Sequence, residues 1–197
     1  STFENIGKAV SPLAITIGTT ASYNVASDAI TGNLNDPLTG KFDWTLMLAS
    51  ASNGVSTGVK IQSIYTTAGL LSKTFNLADR FTTNFVKTDG TVSQPFYAKW
   101  FGPGLSRLEK FAEKPLVLTN SVIHAGPGFA GAGLVIENIK FGMNYILGKD
   151  MGNSYQNIML QAIAGGLKSG PWMGPLMGVG MRGSLGAYDD IVANNLG

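Results

Sequence analysis

The apolar residues of this chain arrive in short runs rich in β-branched and aromatic side chains, and 26 glycines among 197 positions keep interrupting them. Glycine costs a helix interior about 1 kcal/mol relative to alanine, so a chain punctuated this way reads first as strands joined by turns. Seven segments fit that rhythm: Ala14–Tyr23, Phe42–Ala49, Gly58–Thr66, Phe81–Val86, Thr91–Trp100, Pro115–Ile123 and Leu134–Tyr145. Alternation is clearest in the second, where Phe42, Trp44, Leu46 and Leu48 share one side and Asp43, Thr45 and Met47 the other. In the fifth, Val92, Phe96, Ala98 and Trp100 line one side, and Pro95 marks an edge or a bulge. The Asp89-Gly90 pair before it predicts a tight hairpin with a type I′ turn.

Helix signals are fewer. Leu105–Lys114 carries Ser106 and Glu109 at capping-box spacing and stops at Pro115. Ser154–Leu167, with Asn153 as its cap, places Tyr155, Ile158, Met159, Ala162 and Ile163 at helical spacing before Gly165-Gly166. A short third helix is predicted over Ala187–Asn194. Between the last two, Lys168–Gly186 is too broken by proline and glycine for regular structure and too apolar for a solvated loop. It needs burial, against the outside of the core, a neighbouring subunit or a lipid surface.

These readings predict a mainly β chain: an antiparallel, jelly-roll-like β-sandwich over residues 1–150 with a short helical insert. A helical or irregular Gly/Met-rich C-terminal extension follows over residues 151–197, packed on the same domain or on a neighbouring subunit.

Composition restricts the chemistry. With no cysteine and one histidine, His124, the chain lacks thiolate nucleophiles and cysteine-based zinc sites. Net charge is +2, and residues 1–40 hold a single cation, Lys8, so there is no basic arm for a phosphate backbone. No Asn-x-Ser/Thr sequon occurs. The opening Ser1–Lys8 contains Glu4 and has no signal-peptide pattern. The charge-free stretches Ala9–Ser27 and Leu116–Ile136 are broken by small and polar residues, short of the roughly 20 mostly apolar residues a spanning helix needs.

Motifs add little. Gly-x-Gly-x-x-Gly occurs at Gly126–Gly131 and Gly178–Gly183, but Pro127 removes an amide from the first and neither fits a βαβ unit, so both read as glycine-rich turns. No Gly-x-Ser-x-Gly elbow supports His124 as part of a triad, and it reads as a structural histidine at a strand end. The Asn33–Asp43 segment has oxygen ligands suited to calcium without the ordered spacing of a binding loop. Asp43, Asp79, Asp89, Glu109, Glu113 and Glu137 offer no pair singled out by spacing for acid–base work.

The expectation is therefore not an enzyme, with no cofactor, metal or small-molecule substrate. It is a structural subunit that assembles with copies of itself, best fitting a viral or phage capsid-type shell protein located in the virion, without direct nucleic-acid binding. Other shell proteins or a lipid surface are further partners. The expected assembly interface is Trp172, Met173, Leu176, Met177 and Met181. The alternative is an extracellular or cell-surface β-sandwich module binding carbohydrate or protein, or a pilus-like adhesive subunit, using Tyr65, Tyr97 and Trp100.

Overall fold

A computed structural model describes the backbone over residues 2–150 and 152–196, and the side chains over 11–84, 86–95, 97–150 and 152–181. The described residues form six helices and one minimal hairpin: α1 (Thr2–Ile30), α2 (Trp44–Thr74), α3 (Leu77–Thr82), β1 (Phe85–Val86), β2 (Val92–Ser93), α4 (Phe96–Glu113), α5 (Pro115–Ile146) and α6 (Tyr155–Leu196).

The β-sandwich expectation is overturned. Ala14–Tyr23 lies inside α1; Phe42–Ala49 and Gly58–Thr66 fall largely or wholly in α2; Pro115–Ile123 and Leu134–Tyr145 belong to α5. The only sheet among the described residues pairs β1 with β2, Phe85 opposite Ser93 and Val86 opposite Val92. That hairpin sits where Asp89-Gly90 predicts it. Its turn differs, because Gly90 alone has a positive φ (81°), while the Lys87 and Gly90 amides donate to the Thr91 and Lys87 carbonyls. Turn and αL glycine together make the three-residue loop type rather than type I′.

The reason for the misreading is the spacing of the small residues. Ser50, Gly54 and Gly58 recur every four positions, as do Gly166, Gly170 and Gly174, and a four-residue step returns to the same face of a helix. Gly54, Gly58, Gly166 and Gly170 are buried where two helical backbones meet, and Gly174 is half-buried. A Cβ at Gly58 would lie 2.5 Å from Thr20 Oγ1 and 2.8 Å from Ile17 Cα; at Gly170 it would lie 2.5 Å from the Ala125 carbonyl oxygen. Contact at such range gains dispersion along whole backbones and brings Cα–H groups against carbonyls, which offsets the helix-propensity cost of each glycine.

Two compact units result, one from residues 1–61 and 119–174, the other from residues 62–118 and 175–197. In the first, α1 packs on the first half of α2 and on α5, and α6 packs on α5. Its buried polar side chains are short and hydrogen-bonded: the Thr16 and Thr119 hydroxyls lie 3.0 Å apart, Thr119 donates to the Pro12 carbonyl (3.1 Å), and Ser27 donates to the Ala164 carbonyl (2.9 Å). Asp28 on α1 accepts hydrogen bonds from Ser50 on α2 and Lys168 on α6, both at 2.6 Å.

In the second unit, Phe111 of α4 is fully buried edge-on to Tyr65 of α2, their centroids 5.8 Å apart, with the Arg107 guanidinium over the Phe111 ring, 5.1 Å from its centre. Gly69 gives α2 room to meet the Leu108 carbonyl of α4. Phe81 of α3 contacts Tyr97 and Phe101 of α4 at 5.7 and 6.0 Å.

Other boundaries move as well. The predicted Leu105–Lys114 helix is the C-terminal part of α4, which begins after Pro95, so Ser106 is interior and caps nothing. Its end is as expected: Lys114 breaks the helix and Pro115 opens the next. The cap of α6 is Ser154, whose hydroxyl accepts from the Asn157 amide at 3.3 Å, rather than Asn153. Gly165-Gly166 does not end α6, and Lys168–Gly186 is helical. Pro171 and Pro175 are accommodated there fully buried. The backbone over Ala187–Asn194 is also α6, and this stretch lies outside the residues whose side chains are described.

Candidate association surfaces

The large apolar side chains of the first unit are distributed in an unusual way. Where helices meet, the interior is taken largely by Gly, Ala, Ser and Thr, with Leu34, Ile61, Val122 and Met159 as large apolar members, and many aliphatic side chains point outward. On α5, Val135, Ile139 and Ile146 are 60%, 58% and 83% exposed, and Ile136 and Met143 lie beside them. Positions 135, 139, 143 and 146 fall at four- and three-residue steps and form one continuous stripe. Gly128, Gly131 and Gly142 continue it, with open space where a Cβ would be. On the first half of α2, Trp44, Leu48, Val55 and Val59 form a second exposed row. Trp44, Leu48, Val59, Val135, Ile136, Ile139 and Met143 lie in segments that read as strands with one core face, so the sequence does not show these stripes.

The predicted interface residues divide. Met173 in the first unit and Leu176, Met177 and Met181 in the second are exposed, whereas Trp172 is half-buried in α6. The aromatics set aside for a binding module also separate: Tyr65 is buried in the second unit, and Tyr97 and Trp100 are exposed on the first turns of α4.

Candidate reactive groups are occupied with local structure. His124 is exposed in the N-terminal third of α5, not at the end of a strand. Gly126–Gly131 and Gly178–Gly183 lie inside α5 and α6, so neither forms a phosphate-cradling loop or the glycine-rich turn expected of it. Asp36 accepts the Leu38 and Thr39 amides at 2.7 and 3.0 Å, closing the loop between α1 and α2. Asp43 accepts the Thr45 amide at 2.7 Å and so caps α2. Glu137 pairs with Lys140 one turn along, Glu113 with Lys73 at 3.0 Å, and Asp89 accepts from the Thr91 amide and hydroxyl in the hairpin turn. Among the described residues no three His, Asp or Glu side chains converge as metal ligands. Two shallow grooves of the first unit, about 200 and 480 Å³, are lined by Ile30, Thr31, Asn157, Leu160 and Gln161 and by Gly133, Glu137, Ile158, Gln161 and Ala162. Glu137 is the one titratable side chain in either lining. No helix of the described residues is long and apolar enough to cross a membrane.

No known family matches this chain, and no curated protein or solved structure is similar enough to it to count as a relative. The functional argument therefore rests on the surfaces themselves.

Proposed function

We propose that this chain is a structural subunit that assembles with copies of itself through exposed apolar helix faces. The viral-shell form of that expectation and its virion location drew on a jelly-roll core, as did the extracellular binding module, and neither keeps that support in a helical fold. What remains is the property of the surface. The observation that carries the reading is the α5 stripe of Val135, Ile136, Ile139, Met143 and Ile146, uncovered on a helix whose opposite face is already packed. Contiguous apolar area of this kind is uncommon on proteins that stay monomeric.

Fully burying such a side chain is worth roughly 1.5–3 kcal/mol, so completing the burial of half-exposed ones contributes about 1 kcal/mol each. Over one stripe that supports a weak pairwise contact after ordering costs, and repetition by symmetry multiplies it. The outer glycines Gly128 and Gly131 let a second backbone approach as closely as α2 approaches α1. The exposed Leu176, Met177 and Met181 of the second unit supply a further apolar surface of the same kind.

The test is the particle mass of the purified chain by light scattering behind a sizing column. Species far above the 20.7 kDa of one chain, reduced to monomers by Val135→Asp with Ile139→Asp while helicity is retained, are expected. A chain that is monomeric at micromolar concentration overturns the proposal.

A further inference from the structure

The exposed seam of α5 carries the one side chain of this protein whose charge ordinarily changes near neutrality. The line that runs through Ile139, Val135, Gly131 and Gly128 continues to His124, exposed one turn before Gly128 on the same face. It is the only histidine in the chain. An imidazole ordinarily titrates between pH 5 and 8, and no other side-chain type here does so unperturbed. Gly128 and Gly131 have open space where a Cβ would stand, so a helix laid on this face comes close to the ring.

The elements packed on this part of α5 bring no carboxylate to the ring. Helix α1 meets it at Ile123 and Gly126, and α6 meets it at Ser121, Ala125 and Gly126. Among their described side chains α1 has one charge, Asp28, and α6 has one, Lys168, and these two bond to each other. The Tyr23 phenol is held by the Ile123 carbonyl, and the Tyr155 hydroxyl bonds to Asn138, well along the helix. On α5 itself no charged residue occurs from Pro115 to Ile136. Glu137 follows His124 by about 20 Å of helix and pairs with Lys140, and Lys114 precedes the helix. A second copy suits such a seam: placed face to face, two uncharged seams oppose no like charges as long as the imidazoles are neutral. Each ring then meets only uncharged side chains or its own counterpart.

We infer that His124 gates self-association through the α5 seam, admitting a second copy when its imidazole is neutral and opposing it when protonated. The inference rests on the self-assembly reading above and adds its regulation. In the free chain the exposed ring takes up a proton in water. In the assembly the same charge is enclosed with no carboxylate to offset it. The assembled state therefore binds fewer protons than the free chain, so association is strongest above the ordinary imidazole range and is lost as pH falls through it. One pH unit below an ordinary imidazole value of about 6.5, excluding the proton from one ring weakens association about tenfold, and from the two rings of a two-fold contact about a hundredfold.

The experiment measures association of the full chain by analytical ultracentrifugation at about pH 7.5 and about pH 5.5, at constant ionic strength. A loss of about tenfold or more at the lower pH is expected. His124→Gln is expected to associate alike at both values, and His124→Lys to associate weakly at both, with helicity by circular dichroism unchanged. A second readout needs no variant, because a chain with one histidine gives one imidazole signal in nuclear magnetic resonance. Its titration midpoint is expected to move to lower pH as protein concentration drives association. Association equal at the two pH values, an equal loss in the His124→Gln chain, or a midpoint independent of concentration in an associating protein overturns the inference and leaves the assembly proposal in place. A chain that is monomeric at both pH values overturns the two together.

Discussion

The Tyr23 phenol donates to the backbone carbonyl of Ile123, the acceptor left without a helical donor because residue 127 is proline. A proline in a helix interior removes the amide that would bond the carbonyl four residues earlier, and here a side chain from α1 takes that place on α5. Gly126 lies against the Tyr23 ring, and a side chain there would displace it. Burial pushes the Tyr23 pKa up, which keeps the phenol protonated as the donor.

Tyr23→Phe is expected to destabilise the protein by about 1–3 kcal/mol, since it orphans a carbonyl in the packed first unit. In a Pro127→Ala background the amide returns and the same change is expected to cost markedly less. Urea denaturation of the four chains of this double-mutant cycle measures the coupling, and additive effects would contradict it.

Opposite signs are expected for two kinds of glycine replacement. Gly58→Ala places a methyl group against Thr20 Oγ1 and the Ile17 backbone and is expected to destabilise by about 1–3 kcal/mol. Gly18→Ala and Gly165→Ala meet open space inside helices and are expected to stabilise by about 0.5–1 kcal/mol. Thermal or urea melts of the three single variants check the signs.

Asp28 ties three helices together, and its charge state sets a pH limit. Burial works against its ionisation, but hydrogen bonds from Lys168 and Ser50 and the Lys168 charge outweigh this and hold its pKa below the usual carboxylate value. The folded-state pKa is depressed, so the resulting stability is fully present above the unfolded-state pKa of about 4 and is lost as pH falls through the folded value. Asp28→Asn is therefore expected to lower stability at neutral pH and to flatten its decline in that acid range. Unfolding free energies measured across the range provide the check, and an unchanged slope would refute the assignment.

Outward-facing positions of α6 are expected to act on association without acting on folding. Replacing Leu176, Met177 and Met181 together by serine leaves the buried Pro175 in place and is expected to reduce particle mass while preserving helicity. Sizing with light scattering and far-ultraviolet circular dichroism report the two effects separately.

Local features of this fold were legible in the sequence, and the fold class was not. The Asp89-Gly90 turn and the break at Lys114-Pro115 depend on chemistry confined to a few residues, and both occur where that chemistry puts them. The strands failed because Phe42, Trp44, Leu46 and Leu48 alternate over too short a run to separate a period of two from one of 3.6. The longer signal, Ser50-Gly54-Gly58 and its counterpart Gly166-Gly170-Gly174, is carried by residues that propensity counts against helices. Their value arises only when a second helix is close, a tertiary effect that overrides local preference. The outer stripe on α5 is illegible for a related reason: Val135 and Ile139 look like core, whereas the face of α5 that packs carries Val122, Ala125, Gly126 and Ala130.

The glycine-lined seams also invert the usual map of mutational tolerance. In a saturation library the intolerant positions would be the smallest residues, Gly54, Gly58, Gly126, Gly166 and Gly170, while the bulky aliphatics at 55, 59, 135 and 139 would accept replacement as far as folding alone is concerned. Selection seen at those outer positions would then record what contacts made by the surface require, separated by the architecture itself from what the single chain requires to fold.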